Sequence, residues 1–162
     1  MAVPNRGVFV EGISLKGAED LFEIREALEI LGVEKAVKNC DETFLSALKA
    51  HFAEFRSVAT PTLSRQRILI DQRFHLLIAK QTDNVSLHDM LQHVFERITL
   101  TRKTEGAPRS RGVITFDEDV AILQAIRDGD AQRAKELIGL HVRNARAGVL
   151  QQLQDRQLML DR

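Results

Sequence analysis

The chain of 162 residues has no tryptophan, no tyrosine and one cysteine, and its 23 basic residues are matched by 23 acidic ones. Each shortage closes off a class of function. Without indole or phenol rings, and with only eight phenylalanines, there is no sign of a platform on which bases stack. The zero net charge holds in each half, 11 basic against 11 acidic through residue 81 and 12 against 12 after it. No basic face is left to attract phosphates, so this stretch by itself is not read as a nucleic-acid binder. Cys40 alone cannot form a disulfide within the chain; it suits a reducing cytoplasm and packing near a helix end. No apolar run approaches the roughly 20 residues of a membrane span, and the N-terminus has no signal-peptide core. A soluble, cytoplasmic protein without membrane contact is expected, of one domain's length and able to bury a real core.

What is present is helical periodicity. Past residue 14 the apolar residues recur at helical spacing nearly everywhere, and only the extreme N-terminus resembles a strand. Leu21, Ile24, Leu28 and Leu31 mark a first helix that Gly32 is expected to interrupt, with two further turns over 33–39. Asp41 is a good N-cap for a second helix with Phe44, Leu48, Phe52 and Phe55 inward, and Pro61 marks a break. A third helix spans about 64–81; Asn84 caps a fourth with Leu87, Leu91, Val94 and Ile98 inward. Residues 104–113, rich in Gly, Pro and Arg, predict a mobile basic loop. Thr115 and Glu118 form a capping box for a fifth helix, Gly129 ends it, and Asp130 caps a sixth running to about 155. Short connections between such helices predict an all-α antiparallel bundle of six to seven helices around a central pocket.

Polar residues interrupt three of these apolar stripes. Asp71 and His75, four apart, stack on the helix face that carries Ile68 and Ile78. Asp119 continues the stripe of Ile122, Leu123 and Ile126, while Asp117 and Glu118 fall elsewhere, as first-turn acids. His141 lies in the stripe of Ala134, Leu137, Ile138, Ala145 and Val149. A carboxylate in an apolar interior costs several kcal/mol, on the order of a lost ion pair, unless it is paired or coordinated. A lone histidine on an apolar face is more often a satisfied core residue than a ligand, and an i,i+4 Asp–His pair can be a plain hydrogen bond. Four inward polar groups on three stripes are more simply explained together, as ligands of one metal ion. His51, His88 and His93 have polar neighbours and are read as solvent-exposed.

The segments LFEIREALE (21–29), IDQRFHLLIAKQTDN (70–84) and ILQAIRDGDAQRAKELIGLH (122–141) resemble the C-terminal effector-binding domain, called FCD, of GntR-type transcription regulators of the FadR subfamily. The likeness runs from about residue 17 onward, and several spaced patterns agree in order. It implies helices enclosing a pocket with a divalent ion, zinc, nickel or manganese, held by one Asp and three His. Asp71, His75 and His141 fall on ligand positions, and Asp119 where the family usually has histidine. That exchange adds negative charge and shifts preference toward harder ions; loss of the ion is the other way to read it. The resemblance also implies a small organic acid as effector, bound at the ion's open positions, and a homodimer. Arg25 and Arg97 look like the pocket arginines, since a guanidinium fork matches a carboxylate. Paired with Glu29, Arg25 can equally be a surface ion pair, and Arg97 can snorkel from a helix edge. Arg97 is preferred.

VPNRGVFV (3–10) resembles the last wing strand of the winged helix-turn-helix domain that precedes the FCD domain in such regulators. Residues 1–12 are thus expected to be the remnant of that domain and 13–162 the helical effector domain, so that the chain is part of a longer protein that contacts DNA only through its N-terminal domain. Two other readings stay open: a metal-dependent enzyme, because an open divalent site can activate water, and a metal-free structural or dimerisation bundle. No additional inward Glu or Lys is evident as a general base. The regulator reading, without catalysis, is preferred.

Overall fold

In a computed structural model, which describes residues 13–57, 65–101 and 109–160, the described residues form helices joined by short connections, with no strand among them. Six helices follow in order: α1 (Leu15–Lys38), α2 (Glu42–Ser57), α3 (Arg65–Gln81), α4 (Val85–Thr101), α5 (Arg109–Arg127) and α6 (Ala131–Leu160). Their starts follow capping chemistry. The side chains of Ser14, Asp41, Asn84 and Asp130 accept hydrogen bonds from the backbone N–H groups of Gly17, Phe44, Leu87 and Arg133 at 2.7–3.1 Å. Gly129, at φ 72°, closes α5 in the left-handed conformation that a glycine adopts without strain. The proposed wing strand and Pro61 lie outside the described residues. No helix among the described residues is long and apolar enough to cross a membrane.

α1 is the hub: it packs on α3, α4, α5 and most extensively on α6. Phe44, Leu48 and Phe52 of α2, Phe74 and Ile78 of α3, Ile122 and Ile126 of α5 and Ile138 of α6 form the largest apolar cluster with Val33 and Ala36 of α1. A second cluster joins Leu21 and Phe22 to Val94, Ile98, Val142 and Val149. A third joins Ala79 to Leu87, Leu91 and Phe95. Fully burying each large side chain contributes about 1.5–3 kcal/mol, so these three seams hold the bundle.

Several expectations change. Gly32 does not interrupt α1, which is continuous to Lys38, because an isolated glycine weakens a packed helix without breaking it. The inward face of α1 carries Ala18, Leu21, Phe22, Arg25, Glu29, Gly32, Val33 and Ala36, while Ile24 and Leu31 are exposed. α5 begins at Arg109, so the second half of the expected loop is helical and Glu118 lies in mid-helix rather than in a first turn. His51 is buried, its ring stacked 6.0 Å from that of Phe74. His88 is part-buried, and His93 is exposed as expected.

Candidate metal centre

Asp71 and His75 come from α3, Asp119 from α5 and His141 from α6, and one ligand atom of each lies within 4.8 Å of all the others. Helical spacing explains the placement. Asp71 and His75 sit one turn apart, and the Ile122 and Ile138 faces that bury α5 and α6 turn Asp119 and His141 toward them. The exposures of the four are 7%, 1%, 1% and 1%, so all four are withdrawn from bulk solvent. The imidazole rings of His75 and His141 lie 4.8 Å apart.

The surroundings make this a strained electrostatic pocket. Both carboxylate oxygens of Asp119 and Nε2 of His141 are buried without a hydrogen-bond partner; Asp119 Oδ1 stands 3.6 Å from His141 Nδ1, beyond hydrogen-bond reach. Each such orphan costs about 1–3 kcal/mol. Burial pushes the Asp119 carboxyl well above its usual range, and Asp71, Glu118 and Glu29 add repulsion in the same direction. Burial also lowers His141, against the pull of its hydrogen bond to Glu118. One divalent ion would relieve all of these at once. It would neutralise two carboxylates and accept the orphaned lone pairs. The donor set of two carboxylates and two imidazoles therefore fits such an ion.

Two further carboxylates border the site and were not singled out as ligands or bases from sequence. Glu29 of α1 brings Oε2 to 2.5 Å from His75 Nδ1, though off the line of the ring N–H. Its Oε1 accepts from Arg25 Nε at 2.5 Å. Burial alone would raise Glu29, but Arg25 and His75 outweigh it and hold it down to about 2. Glu118 accepts from His141 Nδ1 at 3.0 Å through Oε2, and from Asn144 Nδ2 at 2.6 Å through Oε1. In α1 the signal was available: Arg25 and Glu29 share the helical phase of Ala18, Phe22, Val33 and Ala36.

The two arginines exchange rank. Arg25 is no surface pair: its guanidinium is 1% exposed, stacks over Phe95 at 4.7 Å and places Nη2 3.3 Å from His75 Nε2. Arg97, expected as the better pocket residue, has an exposed side chain on α4. The space between Glu29, His75, Leu87 and Leu91 is too tight for a water molecule, so charges on this side act in a dry medium.

Comparison with known proteins agrees with this architecture. The chain is 24% identical over 136 residues to the uncharacterized HTH-type transcriptional regulator YdhC of Bacillus subtilis (strain 168), a match covering 83% of this chain and 61% of that relative. It thus spans about three fifths of that relative's length. Its fold is similar to that of E. coli McbR/YncC, with a TM-score of 0.82 at 18% identity over 93% of this chain and 72% of that one. It is also similar to the metal-free FCD domain of the regulator TM0439, with a TM-score of 0.71 at 21% identity over 90% of this chain and 99% of that one. The family model described as the FCD domain matches residues 20–144, well over half of the sequence and the whole span from Arg25 to Asn144, and on that match this chain belongs to the FCD domain family.

Proposed function

We propose that the chain is the effector-sensing domain of a GntR/FadR-type transcription regulator. In this reading Asp71, His75, Asp119 and His141 hold a divalent ion, zinc, nickel or manganese. The ion presents open coordination positions to a small organic acid, and Arg25 supplies a fixed positive charge beside it. Binding biases one arrangement of a homodimer over another and so controls a winged-helix DNA-binding domain outside this sequence. The observation that carries the proposal is the convergence of four buried donors from three helices within 4.8 Å. Ile24 and Leu31, two turns apart on α1 and both exposed, suit a subunit contact. Arg97, exposed on α4, is left as a candidate effector contact only where a ligand reaches the surface.

The enzyme reading gains little from Glu29 and Glu118. Glu29 is held ionised by Arg25 at about 2 and is a poor base near neutral pH. Both oxygens of Glu118 are engaged. The metal-free bundle keeps one supporting observation, the contact of Arg25 with His75 Nε2, which places an internal cation on a ligand atom. Thermal unfolding in the presence of small carboxylates, with and without divalent ions, separates the readings. Sensing predicts stabilisation by an acid that requires the ion; turnover of the acid indicates an enzyme; no response to either leaves the structural bundle.

A further inference from the structure

We infer that Glu118, backed by Asn144, is a positioning residue that fixes the tautomer of His141 so that Nε2 carries the lone pair toward the ion, and that Glu29, backed by Arg25, does the same for His75. The inference rests on the ion-site reading for its purpose but not for its geometry. A carboxylate only accepts hydrogen bonds. The 3.0 Å bond from His141 Nδ1 to Glu118 Oε2 therefore requires the hydrogen on Nδ1, and in the neutral ring that leaves Nε2 as the free donor atom. Nε2 is indeed the ring nitrogen of His141 that is buried without a partner. Glu118 is itself held: its second oxygen accepts from Asn144 Nδ2 at 2.6 Å, and Asn144 follows His141 by three residues, on the same side of α6.

The other imidazole repeats the plan with different residues. Glu29 Oε2 lies 2.5 Å from His75 Nδ1 as a charge contact rather than an aligned hydrogen bond, and Glu29 Oε1 is fixed by Arg25 Nε at 2.5 Å, so the hydrogen on His75 Nδ1 is argued from Arg25. Arg25 Nη2, 3.3 Å from His75 Nε2, donates to the lone pair that an ion would take, which agrees with a hydrogen on Nδ1. Each imidazole thus has an anchored carboxylate behind it, reached from α1 in one case and from within α5 in the other. The wrong tautomer would present an N–H to the cation. Outer partners of this kind commonly change metal affinity by about 10–100-fold.

The test uses long-range proton–nitrogen NMR correlations of the histidine rings in chelator-stripped protein, together with zinc titration. Glu118 is part-buried, and the exposed Glu136→Ala on α6 serves as control for Glu118→Ala. The inference expects His141 to be a single Nδ1–H tautomer in the parent and a mixture in Glu118→Ala, with zinc affinity reduced by roughly 10–100-fold. Glu118→Gln, whose amide oxygen still accepts, should restore both. Because Glu29→Ala would strand Arg25, His75 is read in the paired Arg25→Met, Glu29→Met variant, which leaves no acceptor at Nδ1 and where its tautomer should become mixed. An unchanged His141 tautomer in Glu118→Ala overturns the inference, as does zinc affinity within about twofold of the parent. If the parent binds no zinc, the ion-site reading fails, and the tautomer shift alone then decides this one.

Discussion

Asp119 is the buried residue that the fold alone explains least. Its folded carboxyl is raised above the ordinary 3.8, so ionising it opposes folding as pH rises through that value, and metal-free protein at neutral pH carries the burden. Asp119→Asn removes the like-charge repulsion. It should raise the thermal midpoint of chelator-stripped protein, by an amount on the order of 1 kcal/mol, and abolish any stabilisation by added divalent ion. His51 supports a second test. Burial, then Arg73, lowers its pKa below 6.5, so the unfolded chain takes up the proton first and stability falls as pH drops below that value. His141 is lowered in the same direction. His51→Phe should therefore flatten the acid-side decline in midpoint without eliminating it, as pH-dependent melting would show. At this scale the four converging residues of the proposed ion site were legible because each interrupts an apolar stripe. Glu29 was not, because its charge and that of Arg25 suggested a solvated pair; they neutralise each other inside. Removing either partner alone should cost about 3–5 kcal/mol, measurable by denaturant unfolding.

The helices were legible to within a few residues wherever a cap or a clean stripe marked them, as at Asp41, Asn84 and Asp130. The phase of α1 was not. The stripe of Leu21, Ile24, Leu28 and Leu31 that marks the helix leaves out the buried Arg25–Glu29 pair, and Ile24 and Leu31 face outward. Gly32 misled for a related reason, since its place in the packed face outweighs its low helix propensity. A Cβ there would meet only Leu87 Cδ2, at an ordinary 3.7 Å. Gly32→Ala should accordingly stabilise the protein by up to about 1 kcal/mol. Gly129→Ala should do the opposite by about 1–2 kcal/mol, through its positive φ alone, because nothing lies within 4 Å of the added Cβ. The start of α5 was missed because Thr115 and Glu118 mimic a capping box; Glu118 instead spends its carboxylate on His141 and Asn144.

On the scale of the whole molecule, the site stands where the three apolar clusters meet. His75 touches Phe74 of the first and Phe95 of the third, and Arg25 lies over Phe22 of the second. An ion held there ties α3, α5 and α6 together, with α1 bound in through Glu29, which is how occupancy of one point can be felt across the bundle. The proposed homodimer predicts a mass in solution of twice 18.3 kDa, and light scattering of Leu31→Glu should show the monomer if α1 carries the contact. The central claim is tested most directly by calorimetric titration of zinc or manganese into chelator-stripped protein. The account predicts one ion per chain, with binding lost in the His75→Ala, His141→Ala double variant. Absence of saturable binding in the parent, or binding that survives in that variant, would contradict it.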